Sequence, residues 1–360
     1  MSKRFKGGVI SKDGASATSF AASGMWNLTR ALKEIKAGTW PSGAGLFVFT
    51  SFTFQPIVSA GSPTGPTLAQ MQSAYSGQTW LSSYFTIGSY QGYQRWTVPA
   101  TGTYTIECGG GMGGDGLQYY GSNIGTYAYG ALISGNFSLT AGNVLEMVIG
   151  VKGGSSGGAH GNENGGGGGT FVQNVTTNTL LIVAGGAGGM PSPVYGTSCT
   201  RTVSNGHGQS GNSGGYPTTT CYTSVSAATG GAGGNAAGSL HGAAGGGYNS
   251  NGANGGTHCS TAIGGLSYGN GLVGGAGNSC YDPTRTNGGF GGGGGGMLGT
   301  PGAGGGYSGG SVGGAWSSES TYGGGGGSYN VGTSQINTAG GNFGSLGGST
   351  GAGYCKITKL

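Results

Sequence analysis

Uninterrupted glycine constrains this chain more than any other feature: five in a row at 165–169, six at 291–296 and five at 323–327. Glycine loses more conformational freedom on folding than any other residue, so such runs oppose both helix and sheet. Collagen tolerates glycine at every third position with abundant proline, and these runs break that register. Two readings remain, a flexible linker and a packed array of extended segments. A three-residue, left-handed polyglycine II helix makes no internal hydrogen bonds, but without Cβ atoms its neighbours can approach closely and bond laterally. Ordering a backbone costs roughly 1–2 kcal/mol per residue, and a hydrogen bond returns only about 1 kcal/mol net. Such an array must therefore be many segments wide and clamped by a conventional core. Flexible linkers seldom carry rings such as Tyr307, Trp316, Tyr322 and Tyr329 between their runs, which favours the array.

The clamp is legible in the apolar residues, 34% of the chain, which fall in short alternating blocks. Strands are predicted at 46–54, 94–98, 103–108, 132–139, 144–149, 170–174, 180–184 and 354–360, with 99–102 and 140–143 as hairpin turns. Of the 94 glycines, 13 precede Cys108 and the other 81 follow it. The expected organisation is a basic N-terminal arm at 1–41, β-sandwich strands at 42–184, a glycine-rich insertion at 185–353 and a closing strand at 354–360. The fold class is all-β.

Residues 1–41 carry seven basic and two acidic side chains, whereas the remainder balances at six and six. A neutral body supplies no basic stripe for nucleic acid, so no nucleic-acid partner is expected. No run approaches the roughly 18 apolar residues of a membrane span, and no signal-peptide core is visible. Residues 23–38 read as one short helix with Leu28, Leu32 and Ile35 on one face. Together with Trp26 they are candidate attachment residues, with packing on their own domain as the alternative.

Catalysis is not expected. The pattern G-x-S-x-G occurs at 154–158 and 306–310, but chance supplies it in glycine-rich sequence, and the strand–turn–helix context is missing. Neither a catalytic base nor a carboxylate pair can be assigned, and no cofactor is implied. Six cysteines suggest three disulfides, Cys199 with Cys221, Cys259 with Cys280 and Cys108 with Cys355, which would suit an extracellular particle. Zinc competes through His258 beside Cys259, but C-x-x-C spacing is absent. Among Gly, Ser, Asn and Thr stand Tyr119, Tyr120, Tyr127, Tyr129, Tyr216, Tyr222 and Trp316, with Tyr195, Tyr248, Tyr268 and Tyr281 beside them. That mixture suits recognition surfaces, because rigid rings give contact area at low entropic cost. The alternative is packing at the ends of the array.

Several strings are recognisable: Phe52-Thr53-Phe54, Gly65-Pro66-Thr67-Leu68-Ala69-Gln70, the segment 94–107, Leu181-Ile182-Val183-Ala184-Gly185-Gly186 and the segment 304–310. In order, over about residues 47–353, they resemble the glycine-rich extracellular domain of the anaplastic lymphoma kinase receptor family. The resemblance implies a jelly-roll β-sandwich like tumour necrosis factor with an inserted bundle of polyglycine II helices. Family members have a cysteine where Met71 stands, so that family disulfide is absent. Residues 4–11, 22–28 and 37–41 look like the start of structural proteins from tailed bacteriophages. The combined expectation is a virion-surface protein, a tail fibre, spike or head fibre, attached to other virion proteins through residues 1–41. It would present a non-catalytic tip for a host-surface glycan or protein. Two alternatives are a purely structural decoration subunit and an extracellular protein-ligand-binding domain. A homo-oligomer, with a trimer favoured, is expected by analogy alone.

Overall fold

A computed structural model describes residues 49–115, 127–155, 164–191, 203–217, 225–237, 241–256, 260–278, 286–297, 300–313, 322–342 and 351–360. The chain divides into units 1–49 and 50–360. The helix expected at 23–38, with Trp26, Leu28, Leu32 and Ile35, lies outside the described residues. All the described strands belong to the second unit.

Eleven strands are described in two antiparallel sheets. β1 (Ser51–Phe54), β11 (Tyr354–Lys359), β4 (Gly102–Gly109), β5 (Gly130–Leu139) and β10 (Thr333–Asn342) form one sheet in that order. β2 (Phe85–Ile87), β3 (Gln94–Thr97), β6 (Val144–Val148), β7 (Thr170–Asn174), β8 (Thr179–Ala184) and β9 (Tyr329–Asn330) form the other. Alternation decides which side chains turn inward. Tyr104, Ile106 and Cys108 of β4 are fully buried, as are Trp96 of β3 and Leu145 and Met147 of β6. Trp96 meets Tyr104 across the interior with ring centroids 6.1 Å apart.

All eight expected strands are present, but the two turns are not hairpins within a sheet. Residues 98–101 carry the chain from β3 in the six-stranded sheet to β4 in the five-stranded one, and residues 140–143 carry it back from β5 to β6. The turns lie side by side: the Val98 amide donates to the Asn143 carbonyl, and the Gly142 amide to the Val98 carbonyl, each at 2.8 Å. One long antiparallel ribbon is thus folded in half over the core. Sequence alternation cannot reveal this, since the pairing partners are the same in a flat ribbon.

Between β1 and β2 the chain forms two short helices, α1 (Leu68–Ala74) and α2 (Leu81–Tyr84). Thr67 and Gln70 make a reciprocal capping box at the start of α1. Met71 is fully buried, and Tyr75 and Trp80 close edge-on over Phe52 at 5.2 and 4.8 Å.

The glycine-rich region does not begin at 185. Extended segments already leave the strand ends at 110–115 and 149–155 and return at 164–169, because the strands end where glycine begins. At the other boundary, β9 and the ten-residue β10 lie inside the expected insertion. Few of their residues are hydrophobic, so the apolar pattern does not mark them.

Donors in these segments obey a three-residue repeat. Gly166, Gly167, Gly168 and Gly169 donate to Gly294, Ala187, Val151 and Gly291, so the fourth bond returns to the run that received the first. Gly186 and Gly189 likewise donate to Gly305 and Gly302, while Ala187 and Met190 donate to Gly111 and Gly114. Where a donor lacks a backbone acceptor, a side chain supplies one. Ser328 Oγ accepts from Gly185, Asn254 Oδ1 from Gly264 and Asn287 Oδ1 from Gly277, at 3.0, 3.0 and 2.9 Å. The donors named here are thus paired, as a close-packed interior requires.

Rings at the returns seat these segments on the outer face of the six-stranded sheet. That face presents the row Val148, Phe171 and Val183, and beside it the row Arg95, Glu146 and Gln173. Phe290 joins the first row in one buried cluster, with Tyr248, Tyr268, Tyr307 and Tyr329 against it. The tyrosines form a line with Tyr93: centroids are 5.3 Å apart from Tyr93 to Tyr268, 5.2 Å to Tyr248, 6.3 Å to Tyr307 and 4.7 Å to Tyr329. Tyr268 donates to Glu146 Oε1 at 2.9 Å and Tyr248 to Gln173 Oε1 at 3.0 Å. Arg95 Nε holds the other Glu146 oxygen at 2.7 Å, so this buried carboxylate is fully engaged. Burial and the adjacent Glu146 raise the Tyr268 pKa far above the ordinary phenol value, keeping it a hydrogen-bond donor.

Candidate functional site

Of the seven candidate contact residues, Tyr127, Tyr129 and Tyr216 are described; Tyr119, Tyr120, Tyr222 and Trp316 lie outside the described residues. Tyr195 and Tyr281 lie outside them too, and Tyr248 and Tyr268 pack in the tyrosine line over the sheet, the alternative role that composition left open. Of the cysteines, Cys199, Cys221, Cys259 and Cys280 lie outside the described residues. Cys108 and Cys355 face each other across β4 and β11 as free thiols.

Tyr127 and Tyr129 form a patch at the entry to β5. Ala128 between them is buried against Ala187 and Met190, Tyr127 and Tyr322 pack against that small cluster, and Tyr127 and Tyr129 are both half-buried. Their ring centroids are 6.2 Å apart. The His207 imidazole stacks on Tyr129 at 5.9 Å with 21° between planes. Its Nδ1 accepts the Tyr129 backbone N–H at 3.0 Å, which places the proton of the neutral ring on Nε2. Burial lowers the His207 pKa below the ordinary imidazole value and favours that neutral form. Gly340 closes the far side: a Cβ there would stand 2.7 Å from His207 Cγ, and its φ of +58° suits glycine. Sequence reasoning finds both tyrosines but not His207, which is 78 positions from Tyr129 and carries no local signature.

The patch offers flat rings, phenol hydroxyls and a neutral imidazole, and among the described residues no nucleophile, base and orienting group stand together there. Tyr216 is 38% exposed on segment 208–217. A separate cleft of about 200 Å³ is lined by Gln55–Ala60, Val151, Lys152 and Ala352. Its lining is mainly aliphatic, and the Lys152 ammonium is held by Asp115 at 3.0 Å. Burial would raise the Asp115 pKa, but Ser155 and Lys152 outweigh it and keep the carboxyl below its usual range. Among the described residues no group of three or more His, Cys, Asp or Glu could hold a metal ion. Nor is any described helix long and apolar enough to cross a membrane.

No family model matches the chain. Over 94 residues the chain is 34% identical to the leukocyte tyrosine kinase receptor of mouse, a stretch covering 26% of this chain and 10% of that receptor. Neither comparison supports the phage resemblance of residues 1–41. The likeness to the anaplastic lymphoma kinase receptor family, of which that receptor is a member, is therefore real but partial.

Proposed function

We propose that this chain is a non-catalytic binding protein of a virion surface, in which a sandwich holds a rigid glycine body that presents aromatic contacts to a host-surface glycan or protein. The Tyr127–Tyr129–His207 patch carries this reading. Half-buried rings fixed by a buried alanine and a backbone-to-imidazole bond are pre-organised for stacking, which lowers the entropic cost of contact. The ribbon folded over the core supports a jelly-roll reading of the sandwich. The three-residue repeat of lateral bonds supports a polyglycine II reading of the segments. Attachment through residues 1–41 and a trimeric assembly belong to the same proposal.

The test is binding of the full chain to an array of bacterial surface glycans and to host cells. Wild-type binding with at least a tenfold loss in Tyr127→Ala/Tyr129→Ala, with the variant still cooperatively folded at the assay temperature, is expected for stacked contact residues. Binding unaffected by the double variant would mean that the patch is not the contact surface. No binding of the wild type would leave a purely structural virion subunit. The receptor likeness favours a second reading, an extracellular domain that binds a protein ligand, and selective capture of a protein in place of any glycan would point there.

A further inference from the structure

β11 closes the five-stranded sheet between β1 and β4, and its second residue, Cys355, stands directly opposite Cys108 of β4. The pair belongs to one buried row, Phe54, Cys355, Cys108 and Ile133, each member 0% exposed. Directly opposed antiparallel residues have Cα atoms about 4.5 or 5.5 Å apart, depending on the kind of pair. Both distances fall within the roughly 4.4–6.8 Å that a disulfide spans, so the Cα separation of the pair is compatible with one.

We propose that Cys108 and Cys355 form a latent cross-link site that becomes a disulfide by exchange with a small dialkyl disulfide such as oxidised glutathione. One cysteine, as thiolate, attacks a sulfur of the reagent, forming a mixed disulfide and expelling one small thiolate. The partner cysteine, losing its proton, then attacks the protein sulfur of that mixed disulfide and expels the second. Two protein S–H bonds become one S–S bond, the reagent is reduced to two thiols, and the two protons pass to the departing thiolates. The bond would span the whole glycine-rich region, since residues 109–354 lie between the two cysteines. Burial sets the gate: a thiolate is disfavoured inside the sheet, and β11 must part from β4 before either sulfur is reached. Cross-linking is independent of what the protein binds.

The full chain is to be refolded with oxidised and reduced glutathione and compared with a sample kept in reductant. Expected is a cross-linked peptide pair containing Cys108 and Cys355, lighter by two hydrogens than the reduced peptides, and a melting temperature higher by about 5 °C or more. Cys355→Ala, and separately Cys108→Ala, should fold in reductant and lose both the cross-link and that increment. The proposal is overturned if both thiols still react with an alkylating reagent after unfolding of the oxidised sample. It is equally overturned if mass spectrometry finds these cysteines only as glutathione adducts or joined to other cysteines.

Discussion

Gly168→Ala is expected to destabilise the protein by about 3 kcal/mol or more, at the upper end of overpacking effects or beyond it. A Cβ at this position would lie 1.8 Å from the Phe290 carbonyl oxygen, 2.6 Å from its carbon and 2.8 Å from Gly291 Cα. All three are backbone atoms, so no rotamer change can relieve the clash. Relief requires the run beginning at Gly291 to move away, and that breaks the Gly169-to-Gly291 bond and strains the neighbouring ones. Gly77→Ala is the matched control, because its Cβ would meet nothing within 4 Å. It should stay within about 0.5 kcal/mol of wild type. Denaturant midpoints of the two variants decide: equal midpoints would mean that the segments do not approach as described.

The second large effect is expected at an anchor. Phe290 is 1% exposed and packs in one cluster with Tyr93, Val148, Val151, Phe171, Val183 and Leu272. Phe290→Ala should cost about 3–5 kcal/mol, the range for deleting a fully buried ring. The site has little means of collapsing, since Gly65 and Gly92 already crowd the ring edge and have no side chain to swing into the gap. The loss should be local in character. Amide exchange should accelerate first in 286–297, while β4 and β5 keep their protection. If the whole molecule instead loses protection uniformly, the sandwich and the glycine body are one cooperative unit, and the picture of a clamp holding a separable body is wrong.

Much of the sandwich is legible in the sequence because its strands obey a period of two and are punctuated by turn residues. Tyr104, Ile106 and Cys108 alternate with Thr105 and Glu107, and that pattern alone places β4 and its inner face. The elements that escape such a reading are fixed by partners distant in sequence. Thr333–Asn342 contains Gly, Asn, Gln, Ser and Thr with little apolar periodicity, yet it is a strand because β5 offers it an edge to pair with. The four-residue turns look like hairpins because local sequence encodes a reversal, not the sheet in which the next strand lands. α1 carries its capping box openly in Thr67 and Gln70, but seven residues are too few for a helical period to stand out.

The glycine region divides the same way. Its tyrosines mark it as more than a linker, and the structure gives the reason: Tyr248, Tyr268 and Tyr307 pack on the outer face of the sheet beside Tyr329 of β9. Composition suggests recognition for Tyr248 and Tyr268 because Gly, Ser and Asn surround them equally in either role. Burial at Glu146 and Gln173 is a tertiary property with no local signature. For the patch, composition finds Tyr127 and Tyr129, while His207 requires the fold to bring it 78 positions back along the chain.

Amide hydrogen exchange of the described glycines in 164–169, 286–297 and 322–328 reports whether main chain without side chains forms an ordered body. Slow exchange is predicted, comparable with that of the paired amides in β4 and β5, because each donor has a fixed lateral acceptor. Exchange at the rate of an unfolded peptide through those three stretches, with β4 and β5 protected, would contradict it.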